Sequence, residues 1–281
     1  MTVRVPASSA NLGPGFDTLG MALTLHAELG IVGTDPISDD GSAREIDETH
    51  PATVAFRKGG GEGHLWLHCP IPAGRGMGFS GAVRVAGLVA AHAQQHGDDP
   101  DALEAAMPSL LHAASELEGH ADNVAASLYG GVVATAGGRA VRVPMSFDPA
   151  MVMWVPSFTT STNESRGKLP AVVPLADVVF NLGRTALLVA ALAAGDIESL
   201  REATRDRLHQ DIRLSLAEPS RHAIEAALEA GAWASWLSGS GPTVAAMCSI
   251  DAAESIAAAL PADGHAKVLR IDHAGAVIEI S

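Results

Sequence analysis

The stretch Ile71-Pro72-Ala73-Gly74-Arg75-Gly76-Met77-Gly78-Phe79-Ser80-Gly81-Ala82 sets three glycines on alternate positions before a serine. The residues that follow, Ala82–Gln95, carry helical periodicity. Glycine lets a backbone turn tightly and come close to a ligand. The first turn of a helix presents unpaired N–H groups and a partial positive charge. Together these features suit a polyphosphate, with Arg75 adding charge and Ser80 a hydroxyl for Mg²⁺. The same residues also read as an ordinary strand-to-helix turn capped by Ser80. Other nucleotide loops are excluded. The lysines are Lys58, Lys168 and Lys267, so no Gly-Lys-Ser/Thr closes the loop. The Gly74–Gly78 spacing is not G-x-G-x-x-G, and the protein-kinase signatures are absent.

Outward from this loop, strands and helices alternate in pairs. On the N-terminal side, Val3–Pro6, Leu19–Ile31 and His64–His68 read as extended chain, and Pro36–Gly41 as a polar loop. On the other side, Leu103–Glu118 and Asn123–Tyr129 read as helices, and Gly130–Arg142 as paired strands around Gly137-Gly138. Met151–Pro156 is a buried strand. Leu175–Gly195, Ile197–Leu208 and Ser220–Ala230 are helices, and Trp233–Leu237 and Val244–Cys248 flank a second glycine-rich turn as strands. Ala252–Leu260 is helical, with Ala266–Ile271 and Ala276–Ile280 as terminal strands. Without a clean βα alternation, the fold class is α+β rather than doubly wound. A boundary near Pro144–Pro149 divides the chain into an N-terminal lobe, 1–145, and a C-terminal lobe, 146–281.

Composition bounds the function. Of the 281 residues, 47% are hydrophobic and 18% charged, as in a globular chain. The formal net charge of −14 disfavours nucleic acid and anionic lipid as partners, so any anion site must be built locally. The two cysteines, Cys69 and Cys248, form no framework, and the expectation is a reducing cytoplasm. No signal-like start is seen, and Thr185–Ala194 is too short to span a bilayer. His64 and His68 on one strand lie about 13 Å apart, too far to share a metal ion with Cys69.

Several segments resemble, in order, those of the homoserine kinases, members of the galactokinase/homoserine kinase/mevalonate kinase/phosphomevalonate kinase (GHMP) superfamily. They are Val5-Pro6-Ala7-Ser8-Ser9-Ala10-Asn11-Leu12-Gly13-Pro14-Gly15-Phe16-Asp17, the loop Pro72–Ala82, and Glu116-Leu117-Glu118-Gly119-His120-Ala121-Asp122-Asn123-Val124-Ala125. Ser161-Thr162 with Ser165-Arg166, Asp206-Arg207-Leu208-His209-Gln210 with Arg213, and Ser238-Gly239-Ser240-Gly241-Pro242-Thr243 complete the set. The resemblance implies a two-lobed GHMP-kinase-like fold, with an N-terminal phosphate-loop lobe and a C-terminal α/β sandwich lobe. It implies transfer of the ATP γ-phosphate to the side-chain hydroxyl of L-homoserine, a step of threonine biosynthesis, with ATP and Mg²⁺ as cofactors. A homodimer is compatible with it.

Site roles follow from the same resemblance. Pro72, Gly74, Arg75, Gly76, Met77, Gly78, Phe79, Ser80 and Gly81 would wrap the phosphates, and Ser80 and Glu116 would meet Mg²⁺, with the choice between Glu116 and Glu118 left open. Asn11, Asp122 and Asn123 would be catalytic. Asn11, Asp17, His120 and Asp122 would face the amino-acid substrate, Arg166 and Arg213 would hold its carboxylate, and Gly239 and Gly241 would close the site. The charges suit a zwitterion: Asp17 for the ammonium, two planar guanidinium forks for the carboxylate. Asp122 is the candidate base, with the phosphate itself the other destination for the hydroxyl proton. Phe79 stands where the family has a small hydroxyl residue. Two other readings stay open, a kinase for another small hydroxy acid and a non-catalytic ligand-binding protein with a decayed phosphate loop.

Overall fold

A computed structural model describes residues 1–35, 42–159 and 166–279. The loop expected at Pro36–Gly41 and the Ser161–Ser165 part of one motif lie outside the described residues.

Two antiparallel sheets carry the structure. The first takes β1 (Thr2–Ala10), β2 (Leu19–Ile31), β3 (Arg44–Ile46), β4 (Leu65–His68), β5 (Val132–Ala136), β6 (Arg139–Val143) and β11 (Val277–Glu279). Its order is β11-β1-β2-β4-β3, with β5 pairing β2 and β6. Register shifts between Pro6 and Ala7, where proline has no N–H for the ladder. The second sheet has the order β10-β7-β9-β8, from β7 (Ala150–Pro156), β8 (Ala234–Leu237), β9 (Val244–Cys248) and β10 (Gly264–Arg270). Because β11 returns to β1, the last described residues belong with the first sheet and not with the C-terminal one.

The helices are α1 (Pro51–Lys58), α2 (Phe79–His96), α3 (Pro100–Glu118), α4 (Asp122–Tyr129), α5 (Leu175–Ala194), α6 (Leu200–Ala203), α7 (Gln210–Leu214), α8 (Glu218–Glu229) and α9 (Ala253–Ala259). Helices α2 and α4 lie on β1 and β2, with α1 and α3 flanking α2. Ala82, Val83, Val85, Ala86 and Val89 of α2 are buried in the main core, so its first turn is held rigidly. That core continues into the second sheet through Met151, Met153 and Val155 of β7. The alternate residues Ala150, Val152 and Trp154 pack on the opposite face with residues of α8 and α9, so β7 is apolar on both sides.

Three expectations change. Strand β3 and helix α1 were not foreseen, although Pro51 in the first turn, Arg57 and Lys58 in the last, and Gly59 at the C-cap are helix signals. The helix expected over Ile197–Leu208 stops at Ala203, because the Asp206 carboxylate accepts the N–H groups of Leu208, His209 and Gln210 instead. Helix α5 extends the apolar run to 20 residues, long and apolar enough to cross a membrane by length and composition alone. Its Leu188, Ala191 and Leu192 are packed in the core, while Leu175, Val179 and Leu182 are exposed.

Candidate active site

A cavity of about 240 Å³ opens where β1, the start of α2, the end of α3, the start of α4 and the β8–β9 turn converge. Asn11, Asp17, Pro72, Gly74, Gly76, Gly78, Phe79, Ser80, His120, Asp122, Asn123, Arg166, Arg213 and Gly239 all line it. Residues far apart in sequence are thus brought to one place.

The glycine loop forms one wall. Gly74, Gly76 and Gly78 have φ of 67°, 74° and 68°, the left-handed region that glycine enters without penalty. Gly78 precedes α2 with no side-chain cap, and its carbonyl accepts the N–H of Ala82. The N–H groups of Phe79, Ser80 and Gly81 therefore have no carbonyl one turn earlier in the helix, and the positive end of α2 faces the cavity. The loop is tied down on both sides. Ser8 N–H donates to Met77 O at 3.2 Å, and Ser238 Oγ donates to Gly76 O at 2.6 Å. A Cβ on Gly76 would stand 2.2 Å from Ser238 O and 2.9 Å from Gly241 O. Gly76→Ala is therefore expected to force the loop away from the β8–β9 turn. With the left-handed penalty added, KM for ATP should rise by about tenfold. The ATP-induced rise in Tm should shrink to match.

Some loop residues do other work than expected. Arg75 turns its Nη2 onto Ser157 O at 2.9 Å, so its charge ties the loop to the end of β7 and does not line the cavity. Met77 is fully buried and anchors the loop in the core. Gly81 lets α2 approach α4, where an added Cβ would lie 3.2 Å from Asn123 Cβ. Gly241 backs the turn against Leu237. The Phe79 ring packs edge-on against His50, with centroids 6.2 Å apart, as well as contributing to the cavity wall.

The two glutamates considered for Mg²⁺ differ in their surroundings. Glu116 is half-exposed and bonds Lys58 Nζ at 2.9 Å on the far side of α3. It is Glu118 that lines the cavity, with Oε2 2.9 Å from Ser80 Oγ. Two residues along a helix turn the side chain by about 200°, so only one of the two glutamates can face Ser80. A hydroxyl and a carboxylate beside a glycine-rich helix start could offer the small oxygen set that Mg²⁺ takes together with phosphate oxygens.

Asp122 is 1% exposed. Its Oδ1 accepts from His120 Nδ1 at 2.6 Å and from the Asn123 N–H at 2.8 Å. Burial alone would lower the His120 pKa. The bond to Asp122, with the charges of Asp122, Glu118 and Asp17, outweighs it and raises the pKa above 6.5. Asn123 Oδ1 accepts from Ser8 Oγ at 2.9 Å. Asn11 sits at φ 70°, its Nδ2 donating to Gly239 O and its Oδ1 accepting the Asp17 N–H. Both ends of its amide are used in holding two turns, which makes it a positioning residue more than a reacting one.

The arginines differ from each other. Arg166 forks onto Asp17, Nη1 to Oδ2 at 2.8 Å and Nη2 to Oδ1 at 2.7 Å. Asp17 is thus paired with a guanidinium in this structure, where the sequence reading had assigned the two groups to opposite ends of the substrate. Arg213 is 4% exposed, and its Nη1 donates to Gly239 O at 3.1 Å and to His209 Nδ1 at 3.0 Å. Its Nε is buried with no bonding partner. Both guanidinium carbons lie 5.3 Å from the Phe16 ring centroid, on a shared aromatic platform. Burial and the neighbouring Arg166 charge lower the Arg213 pKa, as two cations converging on one spot require.

Asp206 explains why Arg213 points inward. Its carboxylate starts α7 by accepting three backbone N–H groups, and Asn181 Nδ2 donates to it at 2.6 Å. Burial works to raise the Asp206 pKa, but the His209 charge and these bonds lower it overall. His209 Nε2 donates to Gly13 O at 2.8 Å, and burial holds its pKa below 6.5. Unfolding frees His209 to take up a proton. It therefore contributes stability that is complete above pH 6.5 and is lost as pH falls toward the folded-state value. His120, raised, behaves oppositely: its contribution is complete below pH 6.5 and is lost as pH rises through the folded-state value. Urea unfolding of His209→Asn should show a smaller stability loss between pH 7 and pH 5 than the unaltered chain, and His120→Gln a smaller loss on the alkaline side.

Comparison with known proteins now bears on this geometry. Residues 47–131 match the family described as GHMP kinases N terminal domain, and residues 188–266 match GHMP kinases C terminal. A homoserine kinase of Moorella thermoacetica is 42% identical over 262 residues, covering 88% of this chain and 86% of its own. One from Streptomyces coelicolor is 40% identical, covering 98% and 93%. The chain belongs to the homoserine kinase family of the GHMP kinases. A crystal structure of a homoserine kinase from Cytophaga hutchinsonii superposes with a TM-score of 0.82 at 26% identity, covering 98% of this chain and 96% of that one. The family's two-lobed α+β fold is the one described above, and its members are ATP-dependent small-molecule kinases.

The sequence left Glu116 and Glu118 open as the partner of Ser80, and it gave no role to Phe16, His209 or Arg84. Glu118 stood inside a recognised motif, and only the helix phase separated it from Glu116. Arg84 lies four residues after Ser80, the spacing that places two side chains on one helix face.

Proposed function

We propose that this chain is a homoserine kinase that passes the γ-phosphoryl group of ATP to the side-chain hydroxyl of L-homoserine. The observation that carries the reading is one cavity lined both by the glycine loop at the start of α2 and by the buried Arg213 guanidinium. The first suits a triphosphate, the second a carboxylate. Asp122 lines the same cavity and would accept the hydroxyl proton. Its bonds to His120 and Asn123 fix its orientation.

Phosphoryl transfer of this kind depends on placement and charge stabilisation, with no covalent nucleophile needed. The loop N–H groups would hold the phosphates, and Arg213 the substrate carboxylate. Arg166 would share that carboxylate while keeping its fork to Asp17, or release Asp17 to the substrate ammonium. Mg²⁺, held by Ser80 and Glu118 with phosphate oxygens, would neutralise charge on the transferred group. The free cysteines Cys69 and Cys248 fit action in a reducing cytoplasm.

The test is ADP release with MgATP and a panel of hydroxy compounds. L-homoserine should give the highest kcat/KM, and the amino alcohol lacking its carboxylate should be poor. Equal turnover of the two would remove the carboxylate assignment. Preference for a different hydroxy acid would keep the kinase and change the substrate.

A further inference from the structure

Helix α2 is apolar through most of its length, yet one turn after Ser80 it carries an arginine, Arg84. Arg84 Nη1 donates to both Ser80 Oγ and Glu118 Oε2. The Arg84 and Glu118 side chains are 21% and 11% exposed, so solvent screens the pair only partly. Ser80 and Glu118 are the two oxygen donors assigned above to Mg²⁺. Arg84 thus stands on the side of the cavity where a second positive charge must also be accommodated. Among the described residues no other arginine or lysine is bonded to Ser80 or Glu118: Arg166 is forked to Asp17, Arg213 serves Gly239 and His209, and Arg75 is turned onto Ser157.

We infer that Arg84 is a built-in counter-cation of the Ser80–Glu118 pair, and that it sets how tightly the site takes a divalent ion. The inference rests on the Mg²⁺ assignment made above. Without nucleotide, Arg84 neutralises Glu118 and engages the Ser80 hydroxyl, keeping both groups in place and discouraging metal binding. When nucleotide phosphates arrive, they add negative charge beside the pair. The guanidinium can then swing from Glu118 to a phosphate oxygen while its backbone stays fixed on α2. Arg84 is therefore a positioning and specificity residue that couples metal binding to nucleotide binding.

The experiment is Mn²⁺ binding to the full-length protein, read from the loss of the free-ion electron paramagnetic resonance signal, with and without a non-hydrolysable ATP analogue. Arg84→Met should bind Mn²⁺ about tenfold more tightly than the unaltered chain when nucleotide is absent, because a like charge has been removed next to the carboxylate. The difference should narrow when the analogue is present. Arg84→Lys, which keeps the charge, should stay near the unaltered chain and serves as a second variant should Arg84→Met fold poorly. Unchanged or weaker Mn²⁺ binding by folded Arg84→Met, or tightening by Arg84→Lys, would overturn the inference. Glu118→Gln separates the two levels of the argument. If it leaves Mn²⁺ binding with the analogue unchanged, the metal assignment itself is wrong. If it weakens that binding while Arg84→Met behaves like the unaltered chain, only the role of Arg84 fails.

Discussion

Asp122→Asn is expected to lower kcat by about 10²–10⁴-fold, the usual worth of a positioned general base. The substitution keeps the shape of a side chain that is 1% exposed and packed at the start of α4. The Asn123 N–H can still donate to the remaining amide oxygen. What disappears is the negative charge able to accept the hydroxyl proton. KM for ATP and for L-homoserine should change little, and Tm should move less than for a core truncation. Stopped-flow or steady-state kinetics with both substrates varied will check this. A loss below tenfold would mean that the hydroxyl proton passes to the phosphate, and that Asp122 only orients His120.

Arg213→Lys should cost about 1.5–3 kcal/mol in kcat/KM for L-homoserine, the range for a charged hydrogen bond. An ammonium cannot reproduce the planar fork. Here the geometry sharpens the expectation. Nη1 already serves Gly239 O and His209 Nδ1, so a carboxylate would engage the remaining N–H groups of the guanidinium. Binding of MgATP should stay near normal, because the loss is confined to the group that would hold the carboxylate. With the substrate analogue that lacks the carboxylate, the difference between Arg213→Lys and the unaltered chain should largely vanish. An equal loss with both substrates, or a drop in Tm alone, would make Arg213 a structural residue.

Most of the framework could be read from the chain because local chemistry and global fold agree. The glycine loop before α2, the apolar strand β7 and the Gly239–Gly241 turn each announce themselves by composition and spacing. Strand β3 and α1 did not, since they depend on partners distant in sequence: β3, itself the sheet edge, on β4, and α1 on α2. The end of the helix at Ala203 was hidden for a related reason. Asp206 competes for backbone N–H groups only once Asn181 of α5 has packed beside it.

At the site, residue types were legible but pairings were not. Ser80, Asp122, Arg166 and Arg213 line one cavity, with Glu118 and not Glu116 beside Ser80, and Arg166 is forked to Asp17. Which glutamate faces Ser80 depends on the phase of α3, fixed by how that helix packs on α2 and α4. Arg84 gave no motif signal at all, because a single arginine on an apolar helix reads as a surface residue until its partners are known.

The central claim is that this one cavity joins ATP to the hydroxyl of an amino acid. The most direct measurement is phosphorus NMR of the protein incubated with Mg²⁺, ATP and L-homoserine. The γ-phosphate resonance should decay as a single phosphomonoester resonance grows in equal amount, coupled to the side-chain methylene protons of the acceptor. Formation of inorganic phosphate alone, or a phosphorylated product whose phosphorus couples elsewhere, would contradict the account.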